Sequence, residues 1–210
     1  MKKALLINLF ICLSAISMFA QDDGEEERGF KKQNLFTGGS ITLSFFNNQT
    51  VIGANPIFGY KLTNWADAGV SFNFLYSGYR DYYQYDDKMK QSVFGPGVFV
   101  RLYPVKFLFV QGQAEHSFTT LKYIPSPGSS LQEDKTSTDV NSLLVGGGLA
   151  TGREKGATTF YYISILFDVL KNVNSPYVNV SYNPDRSLRV TPAPIIRAGV
   201  NIGLFQNKYQ

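Results

Sequence analysis

The 210-residue chain has one cysteine, Cys12, and one histidine, His116. A single thiol excludes a disulfide-stapled scaffold and a cysteine-built metal site, and a single imidazole excludes a histidine cage. Charged side chains make up only 17% of the sequence, below the roughly 25% of soluble domains. Lys and Arg are scattered and form no basic stripe, which argues against nucleic acid as a partner. The acids of segment 79–90 match no calcium-loop spacing, so no metal and no cofactor is expected. After the first twenty residues no run reaches the ~18 apolar residues that a spanning helix needs. What is abundant is Gly, Phe and Tyr, at 19, 17 and 13 residues, a composition unlike that of helical bundles or disordered chains.

Lys2 and Lys3 precede an apolar stretch from Ala4 to Phe19, and Ala20 stands before Gln21-Asp22-Asp23. This is secretory-signal architecture, with cleavage expected after Ala20. Phe10-Ile11 lacks the small residue that a lipoprotein signal places beside its cysteine, so Cys12 goes with the removed segment 1–20. Cleavage leaves 190 residues and lowers the formal charge from +4 to +2, because Lys2 and Lys3 are lost. Residues 21–34, acidic from Asp22 to Glu27 and then basic at Arg28, Lys31 and Lys32, read as a flexible periplasmic tail.

From Phe36 onward the dominant hydrophobic period is two. In 194–205 one parity holds Ile196, Ala198, Val200, Ile202 and Leu204, and the other Arg197, Gly199, Asn201 and Gly203. Segments 66–77, 93–103 and 107–118 alternate as clearly, with Gln111, Gln113, Glu115 and Ser117 on the polar parity of the third. Weaker alternation at about 36–46, 51–60, 140–151 and 158–169 brings the expected strands to eight. The connections 61–65, 103–106 and 152–156 are tight, whereas three of the four intervening ones, 79–91, 119–139 and 170–193, are long. Short turns alternating with long loops are the layout of an up-and-down transmembrane β-barrel. The fold class is therefore all-β, an eight-stranded antiparallel barrel over 35–206 with a short tail at 207–210.

The polar parity carries Gly, Ser, Asn and Gln, and Lys is nearly absent from strand interiors, unlike a solvated sheet face. An inside-out barrel accounts for both features, with bulky apolar groups facing lipid and small polar groups filling the bore. Aromatics gather towards strand ends, Tyr60, Trp65, Tyr103, Phe107, Phe160 and Phe205 at one end and Phe45, Tyr76, Tyr79, Phe118 and Tyr123 at the other. They are expected to form two interfacial girdles.

Phe36-Thr37-Gly38-Gly39 opens the first strand, and Pro56-Ile57-Phe58-Gly59-Tyr60 is followed by Thr63-Asn64 and Gly69. On these residues and on the last strand, from about Leu35 to Phe205, the chain resembles the small outer-membrane β-barrels of Gram-negative bacteria. These are the OmpA/OmpX-type barrels of eight strands in the porin-like superfamily. The resemblance implies residence in the cell outer membrane, surrounded by its lipid. It also implies that Arg197, Gly199, Ile202, Leu204 and Phe205 form the insertion signal read by the barrel-assembly machinery during biogenesis. Gln206 to Gln210 follow Phe205, so the aromatic is not terminal. Transport does not follow, because fold and function separate readily.

Eight strands enclose a bore that side chains just fill. Asp67 and Arg101 fall on neighbouring strands and one face and are expected to interact. Glu115 and Arg197 fall at similar depth across the barrel and are placed to pair. This lumen polar network reads as a structural plug, with an ion pathway as its functional counterpart. Tyr79, Tyr82, Tyr83 and Tyr85 are the candidate contact residues of an outer loop, offering rigid amphipathic area to a protein partner; strands prolonged above the membrane are the other reading of that segment. Loops 119–139 and 170–193 are rich in Pro, Ser and Asn and are expected to be only partly ordered. His116 lies between Glu115 and Ser117, but adjacent strand residues face opposite sides, so no catalytic residue is assigned. The expected function is that of a non-enzymatic barrel, structural or presenting its loops for binding. A narrow porin-like channel and a lipid A-modifying enzyme are the alternatives.

Overall fold

A computed structural model describes residues 30–46, 49–153 and 157–205. The expected signal segment 1–20, the tail up to residue 29, and 207–210 lie outside the described residues. A 3-10 turn at Lys32–Asn34 leads into ten strands. They are β1 (Leu35–Phe46), β2 (Gln49–Lys61), β3 (Ala66–Arg80), β4 (Lys88–Val105), β5 (Leu108–Ile124), β6 (Asp134–Thr151), β7 (Phe160–Asp168), β8 (Val178–Tyr182), β9 (Leu188–Pro192) and β10 (Ile195–Gly203). Eight of them close a barrel in the order β1-β10-β7-β6-β5-β4-β3-β2, and β8 and β9 form a separate hairpin between β7 and β10. Every barrel pair is antiparallel.

The period of two does what it predicts. In β7 burial alternates at every residue from Phe160 to Asp168. Around the wall Ile41, Phe58, Phe72, Val98, Val110, Ile163 and Ile196 stand outward and exposed. Asn201 is fully buried, whereas its neighbour Ile202 is 47% exposed. Bulky apolar groups cover the outside and amides, carboxylates and guanidinium groups the inside, the reverse of a soluble barrel.

The β1–β10 seam closes through close backbone approach. Gly38 faces Asn201 in the register, and a Cβ on Gly38 would lie 2.0 Å from the Val200 carbonyl oxygen. Gly38 and Gly39 also hold φ of 156° and 145°, a backbone region that side chains rarely adopt.

The strands are longer than the sequence pattern marks. β4 and β6 have 18 residues and β5 has 17, so the wall they form spans about 40 Å at a ~40° tilt. β7 and β10, of nine residues each, span only about 23 Å at the same tilt. One side of the barrel therefore stands well above the other. The surplus belongs to segments expected as loop, 88–91, 119–124 and 134–139, and in the last two Thr119, Thr120, Thr136 and Thr138 favour a pleated backbone.

The aromatic girdles need correction. Tyr103 and Phe160 are buried inside, packed with Phe109, Ala150 and Tyr162, and Tyr123 turns inward at the other end. Phe36, Ile57 and Phe99 form a second internal cluster. The lumen floor is thus aromatic and not filled by small polar groups, because wall glycines such as Gly59, Gly69 and Gly148 leave room for those rings. Phe107 and Phe205 at the turn end, and Tyr76 and Phe118 at the loop end, do face outward.

Candidate functional site

The side chains that define the lumen form three storeys. At the turn end the Arg153 guanidinium reaches back under the barrel, donating to the Asn64 carbonyl oxygen at 2.8 Å and to Asp67 Oδ1 at 3.1 Å. It lies 3.6 Å from the centroid of the Tyr103 ring. Asp67 and Arg101 are direct cross-strand partners in the register, but they make no ion pair. Arg153 takes the carboxylate. Arg101 turns away from Asp67, donating from Nε to Gln111 Oε1, its register partner on β5, at 2.7 Å and from Nη1 to Asn201 Oδ1, across the barrel on β10, at 3.3 Å. Its guanidinium sits among the rings of Tyr162, Phe99 and Phe109 at 4.4, 5.1 and 5.2 Å. Arginine suits such a place because its planar, weakly hydrated charge stacks while it donates.

The middle storey is a hydrogen-bonded ladder along the inward parity of β5. Gln111 Nε2 donates to Gln113 Oε1 at 3.1 Å, Gln113 Nε2 to Glu115 Oε2 at 2.9 Å, and Ser117 Oγ to Glu115 Oε1 at 2.8 Å. Residues two apart on one strand face the same way, so alternation alone stacks these four groups into a column. Arg197 reaches it from β10, donating to Gln113 Oε1 at 2.9 Å. Glu115 and Arg197 therefore do not pair directly; Gln113 bridges them, because the amide carries an acceptor and a donor and fits between the two charges.

The loop end is closed by a strap, residues 169–177, which the sequence pattern did not mark. Tyr177 is buried against Leu144 and Leu166, and its hydroxyl donates to Glu115 Oε1 while accepting from Asn73 Nδ2 at 2.6 Å. Ser175 Oγ donates to Asp168 Oδ2 at 2.6 Å and lies 3.1 Å from Ser142 Oγ. Asp168 Oδ1 accepts the amides of Leu143 and Leu170. Lumen and loop end thus form one network from Arg101 to Tyr177, with each buried carboxylate hydrogen-bonded, as burial requires.

The tyrosine loop is ordered around a residue that spacing did not single out. Asp87, fully buried, accepts the amides of Tyr82, Tyr83 and Gln84 and the Tyr123 hydroxyl. Burial pushes this carboxyl up, but the amides of Tyr83, Gln84 and Tyr82 and the Tyr123 hydroxyl outweigh it and hold it below the usual carboxylate range. Tyr79, Tyr82, Tyr83 and Tyr123 follow one another at ring separations of 5.9, 4.6 and 5.6 Å. Tyr85 is 89% exposed and stands apart from that chain. The tyrosines thus divide into a packed set and a free one.

His116 faces outward, with Nδ1 bonded to Asn141 Oδ1 at 2.7 Å and Nε2 3.6 Å from Asp139. Ser117 is on the other side of the wall, bonded to Glu115, so it lies beyond the reach a nucleophile needs to its base. In the last strand Arg197 points inward and Gly199 lies at the seam, where a Cβ would meet the Gly39 carbonyl oxygen at 2.1 Å. Ile202 faces outward, the Leu204 amide donates to the Leu35 carbonyl oxygen at 2.8 Å, and Phe205 is half-exposed.

Eight up-and-down antiparallel strands with an apolar outside and a packed polar bore decide the class of fold. The architecture is a closed, eight-stranded antiparallel β-barrel. No family model matches the chain, and no curated protein matches it. Among solved structures it is similar to the N-terminal β-barrel domain of Pseudomonas aeruginosa OprF, with 15% identity and a TM-score of 0.40. That alignment covers 81% of this chain and 98% of the other.

Proposed function

We propose that the chain is a non-enzymatic barrel of the outer membrane that conducts no solute and carries an ordered contact platform outside the cell. The supporting observation is the hydroxyl of Tyr177 on Glu115, which ties an external strap into a lumen already filled from Arg101 to Ser117. A bore of this strand number has no room for both that column and a water file. The tight turns 62–65 and 106–107 belong to the periplasmic end. The 81–87 loop, the strap and the β8–β9 hairpin belong to the cell surface, where Tyr85, Tyr182 and Leu188 are exposed for a protein partner.

Single cysteines test both parts, since Cys12 lies in the segment expected to be removed and none follows it. Tyr85→Cys should react with an impermeant maleimide on intact cells, and Lys106→Cys only after the outer membrane is breached. Purified protein should be silent in a planar bilayer. Steady unitary currents from the intact chain would replace this reading with that of a narrow channel.

A further inference from the structure

On the outside of the tall wall, the register lines up like charges. Lys90 on β4 stands opposite Lys122 on β5, and Lys122 stands opposite Lys135 on β6. One step nearer the loops Arg80 stands opposite Lys88. Arg80, Lys88, Lys90 and Lys122 share the outward parity of Tyr76, Phe94 and Phe118, and Lys135 that of Leu143. Lys122 has a carboxylate at hand, Glu133 at 2.6 Å; among the described residues Arg80, Lys88, Lys90 and Lys135 make no ion pair. Directly opposed like charges on a sheet are destabilising, so this wall carries a repulsion that an external anion would relieve.

Two adjoining hollows indicate the anion's shape. A cleft of ≈ 370 Å³ is lined by Thr50, Tyr76, Gly78, Arg80, Lys88 and Lys90. Beneath it a groove of ≈ 740 Å³ runs among Ile41, Ile52, Phe74, Tyr76, Phe94 and Phe118. Tyr76 borders both. Lys90 lies twelve residues along β4 from Leu102, about 30 Å up the tilted strand, just above an apolar band of ~25 Å. Cations therefore sit at headgroup height directly over a hydrocarbon-lined groove. An anionic lipid has that division, whereas a soluble polyanion offers nothing to the groove and an acidic protein would not reach into the acyl layer.

We propose that this face binds an anionic, phosphate-bearing lipid of the outer leaflet, with its phosphate on Arg80, Lys88 and Lys90 and an acyl chain along the groove below Tyr76. Lys122 and Lys135 extend the cationic row towards a second phosphate or a neighbouring headgroup. The proposal rests on the outer-membrane reading above, so the test first establishes that the chain co-fractionates with that membrane and folds into vesicles. Failure there would overturn the membrane reading and this proposal together, whereas a chain that folds into vesicles but shows no lipid preference would overturn this proposal alone.

Folded full-length mature protein in detergent is then exposed to diphosphorylated lipid A, to the same lipid stripped of phosphate, to phosphatidylethanolamine and to inorganic phosphate, and binding is read by native mass spectrometry. The diphosphorylated lipid should be retained in preference to the others. At about fivefold per charge, Arg80→Gln, Lys88→Gln and Lys90→Gln together should weaken it on the order of 100-fold. Lys106→Gln, in the turn at the far end, should leave it unchanged. Equal retention of phosphorylated and stripped lipid, a triple variant that binds like the parent, or inorganic phosphate competing at matched concentration would overturn the proposal. A dimer that the triple variant loses, with no lipid bound to the parent, would overturn it in favour of a second copy of the chain. Should the triple variant fail to fold, retention of phosphorylated over stripped lipid by the parent still decides.

Discussion

Replacing Tyr177 by Phe keeps the ring against Leu144 and Leu166 and removes one oxygen. That oxygen donates to the Glu115 carboxylate and accepts from Asn73. A hydrogen bond to a charged group contributes about 1.5–3 kcal/mol net, and an orphaned buried donor costs about 1–3 kcal/mol, less where it can turn away. Because Asn73 stands at the wall and can rotate, the lower end applies to it, and the strap should lose about 2 kcal/mol. At 1.4 kcal/mol per decade that raises the open population of the strap about 30-fold. The loss is local, since Ser175 still holds Asp168 and the barrel ladder is untouched.

Hydrogen exchange is the assay. The Ser175 amide donates to the Asn172 carbonyl oxygen and the Ala193 amide to the Tyr177 carbonyl oxygen, both at 2.9 Å. Exchange at these two amides should quicken about 30-fold in Tyr177→Phe, while amides of β5 stay at parental rates. In a Glu115→Gln background the same change should cost less by about 1 kcal/mol, because the acceptor has lost its charge. Tyr177→Phe should also remain silent in a bilayer, because the Gln111–Gln113–Glu115 column stays in place. Strap exchange within threefold of the parent would refute the view that this hydroxyl holds the strap down.

Arg153→Ala leaves Asp67 buried without its cation and should lower stability by about 3 kcal/mol or more, read as the urea midpoint in vesicles. Arg153→Lys should recover only part of that, since an ammonium cannot stack on Tyr103 and serve both acceptors; full recovery would show the charge alone matters. Gly38→Ala places a methyl against the Val200 carbonyl oxygen at the seam and should leave most of the protein in the unclosed, heat-insensitive form on unboiled gels. Asp87 titrates below its ordinary value, so its contribution to the tyrosine loop is complete above the unfolded pKa of about 3.9 and is lost as pH falls through the lower folded value. The Tyr82, Tyr83 and Gln84 amide resonances should therefore hold steady from neutral pH down to about 4 and shift only below it; a midpoint above that would contradict the amide nest.

What alternation can convey, and what it cannot, separates the legible parts of this molecule from the rest. Period two reports which side of a wall a residue occupies, and so the β5 ladder, Arg101, Arg197 and the apolar outside could be read from order alone. It does not report depth or reach. Tyr103 and Phe160 stand near strand ends like girdle aromatics, yet their parity is that of Arg101 and Ser164, a signal that was present and was outweighed by their size. Arg153 lies in a turn, where no period applies. Its long side chain crosses under the barrel to Asp67 on β3, a contact that no sequence spacing signals. The strap is the larger omission, and its cause is physical. Residues 169–177 hold Val, Leu and Tyr among Lys, Asn, Ser and Pro with no repeat, because they pack as a plug into a mouth whose shape is set by other strands. A segment that donates to Glu115 and Asp168 and accepts from Asn73 has no local pattern to show. The same reasoning separates Asp87 from its neighbours Asp81 and Asp86. All three look alike in sequence, and only closure of the loop brings three amides and Tyr123 onto one of them.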